Sequence, residues 1–255
     1  MPQPEAPPAI EFVDVHKSFR GQKILDGLSL VIPRGQTTVI IGRSGGGKSV
    51  TLKHMIGLVR PDRGVIRVHG EDITTLDKAG LNRVRRGFGM LFQEGALFDS
   101  MTVGENVAFP LREHTQLGQQ EVDERVEQML ATVGLPGVGP KMPSELSGGM
   151  RKRVGLARAL ILGPEIVLFD EPTSGLDPIM ADVIDRLIQD TQRASGRTYV
   201  VISHDIRATF EIADAIAMLY EGRIIAMGPP EAMRANTNPI LKQFLRGTSD
   251  GPIQV

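Results

Sequence analysis

Runs of uninterrupted apolar residues recur along the chain at Thr38 to Ile41, Ile166 to Phe169 and Thr198 to Ile202, each short and bounded by turn residues. Such runs predict buried strands, and the Ile166 run is of the kind found in a parallel sheet covered on both faces. Ile10 to Val15, Leu28 to Ile32, Val65 to Gly70 and Gly87 to Phe92 read as further strands, with His69 on the exposed face of its strand. Pro33-Arg-Gly35 and Pro61-Asp-Arg-Gly64 are turns, and a helix between them should end near Leu58. From about residue 94 to 163 the texture changes. Val122, Val126, Met129, Leu130 and Val133 fall at helical spacing, with Gly134 where a C-terminal glycine belongs. A linker over Pro136 to Pro143 leads to a helix over Met150 to Leu162. Another helix, Pro178 to Arg193, lines one face with Ile179, Val183, Leu187 and Thr191. Ala215 to Tyr220 and Arg223 to Met227 form a hairpin about Glu221-Gly222, and Pro229 to Leu245 is helical in two pieces broken at Asn238-Pro239.

Composition narrows the class. At 255 residues, 41% hydrophobic and 23% charged, the chain can bury a sizeable core like an ordinary globular protein. A net charge of −1 argues against a broad nucleic-acid or anionic-membrane footprint. Arg83, Arg85 and Arg86 read as a solvated basic face. The absence of cysteine removes disulfides, thiolate catalysis and cysteine-ligated metals. Residues 1–9 read as a disordered leader without the pattern of a secretory signal. The tail Gly247 to Val255, with Asp250-Gly-Pro252, reads as a disordered loop. No apolar run is long enough to cross a bilayer, so any membrane role must come through a partner.

The chemistry centres on Gly42-Arg43-Ser44-Gly45-Gly46-Gly47-Lys48-Ser49, which lies between a strand and a helix. Glycines let the backbone curl and aim successive N–H groups at an anion on the helix N-terminus. Lys48 can reach β- and γ-phosphates, and the Ser49 hydroxyl can ligate magnesium. Phe19 is either a base-stacking aromatic or a core phenylalanine. Asp170 and Glu171 end a buried strand, where doubly wound sheets bind ligands. Adjacent strand residues point to different sides, so Asp170 suits the magnesium shell and Glu171 the activation of a water. Ser147-Gly148-Gly149 is a second anion site or merely a helix cap. His204, at another strand end, reads by itself as a packing or capping histidine.

Taken in order, Phe19, Gly42 to Ser49, Gln93, Leu146-Ser-Gly-Gly149, Phe169-Asp-Glu171, Ser174 to Asp177 and His204 resemble the ATP-binding-cassette ATPases over roughly residues 10–228. The resemblance implies an α/β fold: a RecA-like P-loop NTPase core with an N-terminal antiparallel β subdomain and an inserted α-helical subdomain. The ATPase domain would span 10–230, its helical subdomain about 94–163, with a C-terminal helical segment and tail over 231–255. It implies ATP and Mg2+ as ligands, Phe19 stacking on adenine, Gln93 sensing the γ-phosphate and metal, and His204 contacting the γ-phosphate. Ser147, Gly148 and Gly149 would act on ATP held by a second subunit, with Asp177 communicating across the homodimer. Val50 stands where these ATPases often place a threonine, leaving only its backbone N–H for the α-phosphate. Phe19 likewise replaces a commoner tyrosine, which keeps stacking and loses a hydroxyl.

Met90 to Phe98, Met101 to Thr115 and Pro143 to Met150 are similar more narrowly to the ATPases of MCE-type lipid transporters, the Mla class. That resemblance implies an integral membrane permease, an MCE-domain lipid-binding subunit and commonly a small STAS-domain subunit as partners, at the cytoplasmic face of the inner or plasma membrane. Leu97, Phe98, Met101 and Val103 would line the groove receiving the permease's coupling helix. An importer ATPase for a small solute shares every catalytic motif. A non-transport cassette acting on ribosomes or nucleic acid is a further alternative; members acting on ribosomes usually fuse two cassettes with a basic linker, and neither is visible in this sequence.

Overall fold

In the computed structural model, residues 6–93 and 95–254 are described. In chain order the elements are β1 (Ile10–Phe19), β2 (Gln22–Ile32), β3 (Thr37–Ile41), α1 (Lys48–Met55), β4 (Arg63–Val68), β5 (Glu71–Asp72), α2 (Lys78–Arg85), β6 (Phe88–Leu91), α3 (Val103–His114), α4 (Gln119–Thr132), α5 (Gly148–Leu160), β7 (Ile166–Asp170), α6 (Pro178–Ser195), β8 (Thr198–Ile202), α7 (Ile206–Ile212), β9 (Ala215–Tyr220), β10 (Arg223–Gly228), α8 (Pro230–Ala235) and α9 (Pro239–Arg246). Two compact units share them: one up to Arg85 and from Thr198 on, the other Arg86–Arg197.

In the first unit, β2, β1, β4 and β5 make an antiparallel sheet in that order. β1 continues past Val15 to Phe19, where the sequence suggested a loop. Register shifts after Phe12, Val15 and Lys17 break the alternation, so polarity no longer reports the strand. Arg20 and Gly21 both have positive φ, the turn whose twist matches a hairpin, and they bring Phe19 opposite Gln22. β3 lies between β8 and β9, parallel to both, and every residue of β3 and β8 is buried. The Arg83–Arg86 run is more than a solvated face. Arg85 donates to the carbonyls of Ile56 and Gly57, closing the end of α1, and Arg83 pairs with Glu71. His69 is a turn residue with φ 51° rather than a strand residue.

Both chain ends are held where they are described. Of the expected leader, residues 1–5 lie outside the described residues, while Pro7 accepts from Arg34 Nε and Ala9 exchanges backbone bonds with Ile32 and His69. The tail is held too. Gln243, buried on α9, places its amide nitrogen 3.2 Å from the carbonyls of Thr248, Ser249 and Ile253 and accepts from Ile253 N at 2.7 Å.

His54 on α1 is fully buried, with Nδ1 2.8 Å from the Val50 carbonyl and Nε2 without a hydrogen-bond partner among the described residues. Burial pushes its pKa below the ordinary histidine value, against the opposing pull of the Val50 carbonyl. The folded state therefore resists a proton that the unfolded chain takes up near pH 6.5. Stability should be intact above that pH and decline as pH falls below it. Urea melts at pH 7.5 and 5.5 should show this decline, and His54→Asn should reduce it.

In the second unit, β6 and β7 pair in parallel from Phe88 opposite Ile166 to Leu91 opposite Phe169. A Cβ on Gly89 would lie 2.2 Å from the Ala159 carbonyl, so glycine permits α5 to sit close on β6. Thr102 and Glu105 form a reciprocal capping box that starts α3. Asn106, fully buried, accepts from Phe98 N and donates toward the carbonyls of Phe98, Met101 and Thr102, tying the loop before α3 to the helix. Asn106→Ala should cost about 2–3 kcal/mol, since several buried backbone groups lose their partner at once. Urea denaturation checks this.

Among the described residues no helix is long and apolar enough to cross a membrane.

Candidate functional site

The phosphate loop follows β3 directly, and its shape is set by close approaches. Gly42 has φ 153°, and a Cβ there would stand 2.3 Å from the Leu219 carbonyl of β9. Gly45 and Gly47 also carry positive φ, and Gly46 N donates to the Arg43 carbonyl at 3.1 Å. The loop therefore doubles back before α1 begins at Lys48. Lys48 is almost wholly buried, and its ammonium donates to the carbonyls of Gly42 and Arg43 at 2.8 and 2.9 Å. Those two bonds fold the amine back over its own loop, so the positive charge is held against the glycine loop. Ser49 and Val50 continue the first turn of α1. Thr51 closes that turn through its hydroxyl on the Gly47 carbonyl.

Phe19 settles one alternative left by the sequence: the residue ends β1 and is 43% exposed, so it is not core. His204 follows β8, exposed, and Ser203 N reaches the Ile40 carbonyl, so the ends of β8 and β3 lie side by side. The first unit thus brings together the phosphate loop and His204. Arg43 is exposed and its Nη1 donates to the Gln254 carbonyl at 2.8 Å.

The second unit gathers the remaining residues. Asp170 ends β7, half-buried, and Glu171 follows with φ 50°, a left-handed conformation that is costly for a residue with a Cβ. The left-handed residue ends the strand and turns the chain. Gln93 Nε2 approaches Ser174 Oγ at 3.3 Å. Ser147 is the N-cap of α5, its hydroxyl accepting from Met150 N at 3.2 Å, and Asp177 caps α6 by accepting from Ile179 N and Met180 N. The capping reading of Ser147 therefore holds. The first turn of an α-helix has amides with no partner inside the helix, and in α5 that turn begins at Gly148 and Gly149. A 550 Å³ cavity between Gln93, Asp99, Gly148, Arg151 and Ser174 joins these segments.

Val103 does not suit the expected partner groove. It is fully buried at the start of α3, whereas Phe98 is exposed, its ring tilted against Phe109 with centroids 5.1 Å apart. Two supporting residues were missed in the sequence. Arg158 donates to the carbonyls of Gly95 and Ala96 and lies over the Phe98 ring, holding the segment after Gln93. Lys152, buried, donates to the Ser174 carbonyl. No sign of them shows in the sequence, because α5 also carries Arg151 and Arg153 and nothing local sets Lys152 and Arg158 apart from those two.

The family model described as ABC transporter matches residues 25–174. The chain is 44% identical over 244 residues to the intermembrane phospholipid transport system ATP-binding protein MlaF of Escherichia coli, covering 96% of this chain and 91% of that protein. It is 44% identical over 245 residues to the probable ribonucleotide transport ATP-binding protein mkl of Mycobacterium tuberculosis, covering 96% of this chain and 68% of the relative. Among solved structures, the dimeric post-hydrolysis state of the ATP-binding cassette MJ0796, bound to ADP and Pi, superposes with a TM-score of 0.80 at 29% identity, covering 87% of this chain and 98% of the other.

Proposed function

We propose a phospholipid-trafficking role for this chain, which belongs to the ABC transporter family and carries that family's cassette fold, as the ATP-hydrolysing subunit of an Mla-type transporter. The observation that carries the ATPase reading is the buried Lys48 amine folded onto its glycine loop at the start of α1. Lipid is favoured as cargo because the similarity to MlaF runs through 91% of that protein, against 68% of mkl, whose printed name points to ribonucleotides.

Phe19 stacks on the adenine, and the amides of Arg43 to Val50 with Lys48 grip the phosphates. Glu171 takes a proton from the attacking water, and Lys48 stabilises the charge that develops on the γ-phosphoryl oxygens. His204 hydrogen-bonds the γ-phosphate. Ser49, Gln93 and Asp170 are hard oxygen donors of the type Mg2+ selects, and they would hold it. Held there, it would supply charge neutralisation to the phosphates. Ser147, Gly148 and Gly149 close on ATP held by a second copy, and Asp177 links the two sites. Closure is passed to an integral permease at the cytoplasmic face of the inner or plasma membrane, with an MCE-domain subunit and a small STAS-domain subunit in the same assembly. Leu97, Phe98 and Met101 contact the permease.

Purification from native membrane tests the cargo. Phospholipid and an MCE-domain protein should copurify with the chain, whereas a solute-binding protein without lipid would refute the lipid reading.

A further inference from the structure

Asp62 lies in the Pro61 to Gly64 turn between α1 and β4, outside every functional motif considered so far, yet it holds the end of β1 at three points. Its amide N donates to the His16 carbonyl at 2.8 Å, its Oδ1 accepts from Lys17 Nζ at 2.6 Å, and its Oδ2 accepts from Ser18 N at 2.7 Å. Pairing of β1 with β4 ends at His16 opposite Arg63, and the β1–β2 register slips between Lys17 and Ser18. The Asp62 carboxylate therefore replaces the ladder partner that Ser18 no longer has in β4. The Lys17 ammonium, drawn in by that carboxylate until its side chain is only 16% exposed, stands 5.3 Å from the centre of the Phe19 ring. A cation at that distance over an aromatic face is attractive, so it fixes the ring from one side. The bonds to Lys17 and Ser18 also hold the Asp62 carboxyl below the usual carboxylate range, which keeps it charged.

We propose that Asp62 is a positioning residue for nucleotide-base recognition: it clamps Lys17 and Ser18 so that Phe19 presents its ring for stacking at a fixed distance from the phosphate-loop helix. The proposal rests on the reading of Phe19 as the base platform. A charged clamp is suited to this place because the phosphate-loop helix and the aromatic platform belong to different layers of the unit. The segment from the end of α1 to Asp62 is the covalent link between them. Asp62 contributes to the base-dependent part of affinity and not to the grip on phosphate.

The test uses the full chain, with ATP binding followed by titration calorimetry and inorganic tripolyphosphate as a ligand that has no base. Asp62→Ala should weaken ATP binding about three- to tenfold, a fraction of what loss of a whole base stack costs. Tripolyphosphate binding should be unchanged, and kcat should stay within about twofold while KM for ATP rises. In a Phe19→Ala background the Asp62 substitution should have no further effect. Should Asp62→Ala fold poorly, Asp62→Asn keeps an acceptor for Ser18 N, loses the pull on Lys17, and should show a smaller shift of the same kind. Equal weakening of ATP and tripolyphosphate, or an undiminished Asp62 effect in the Phe19→Ala background, would overturn the proposal. If Phe19→Ala itself leaves ATP affinity intact, the base-platform reading fails and the proposal goes with it. If Phe19→Ala weakens ATP binding and neither Asp62 variant does, the proposal alone is refuted.

Discussion

Glu171→Gln is expected to slow ATP hydrolysis by about 10²–10⁴-fold, the usual worth of a general base, while leaving ATP binding intact. The substitution keeps size and polarity and removes only the capacity to take a proton. The role proposed for Glu171 is supported by where the backbone places it. β7 delivers Asp170 at its carboxyl end, and the next residue breaks into the left-handed region at φ 50°. Residues are held in that conformation when the surroundings require it, and such strain collects at functional sites. Phosphate release in a single turnover, set beside ATP affinity, measures both halves of the prediction. Near-normal turnover with unchanged affinity would remove Glu171 from the chemistry.

Gly42→Ala should abolish ATP binding and destabilise the fold by about 2–5 kcal/mol, combining strained backbone with overpacking. The reason is steric. The added Cβ would sit 2.3 Å from a backbone oxygen of β9, which cannot swing aside as a side chain can, and φ of 153° is itself unfavourable for alanine. Gly45 is the internal comparison, since a Cβ there meets nothing within 4 Å and only its φ of 73° resists substitution. Gly45→Ala should therefore cost about 1 kcal/mol and spare most of the affinity. Thermal melts and ATP titrations of the two variants separate a packing requirement from a general need for glycine. Similar losses in both would refute the close-approach argument.

The buried strands and the phosphate loop were legible because local chemistry dictates them. Runs such as Ile166 to Phe169 have one stable placement, and the glycines of residues 42–47 announce backbone conformations that other residues avoid. β1 was legible only to Val15 because its bulges spoil the alternation, so Phe19 looked like a loop residue although it ends a strand. α3 went unassigned because Gly104 and Pro110 lower its propensity. Its stability comes from the Thr102–Glu105 capping box and the contacts of Asn106, which no periodicity records. The same local pattern misled at Val103, whose apolar side chain faces the core rather than a partner. The tail from Gly247 looked like a free loop because the residue that holds it, Gln243, acts through side-chain bonds to backbone carbonyls. Ser147 and Asp177 show a further limit: the capping seen in the structure and the proposed contact across a dimer call for the same residue types, so sequence does not separate them.

The central claim is that the phosphate loop of one copy and the Ser147–Gly149 helix start of another make one ATP site. The mass of the Glu171→Gln chain in solution, measured by light scattering with Mg2+ and ATP, tests it most directly. The account predicts twice the mass of one chain with ATP, one chain's mass without it, and one chain's mass again when Ser147→Arg is added. A Glu171→Gln chain that binds ATP and stays single, or one that still pairs with Ser147→Arg in place, would contradict it.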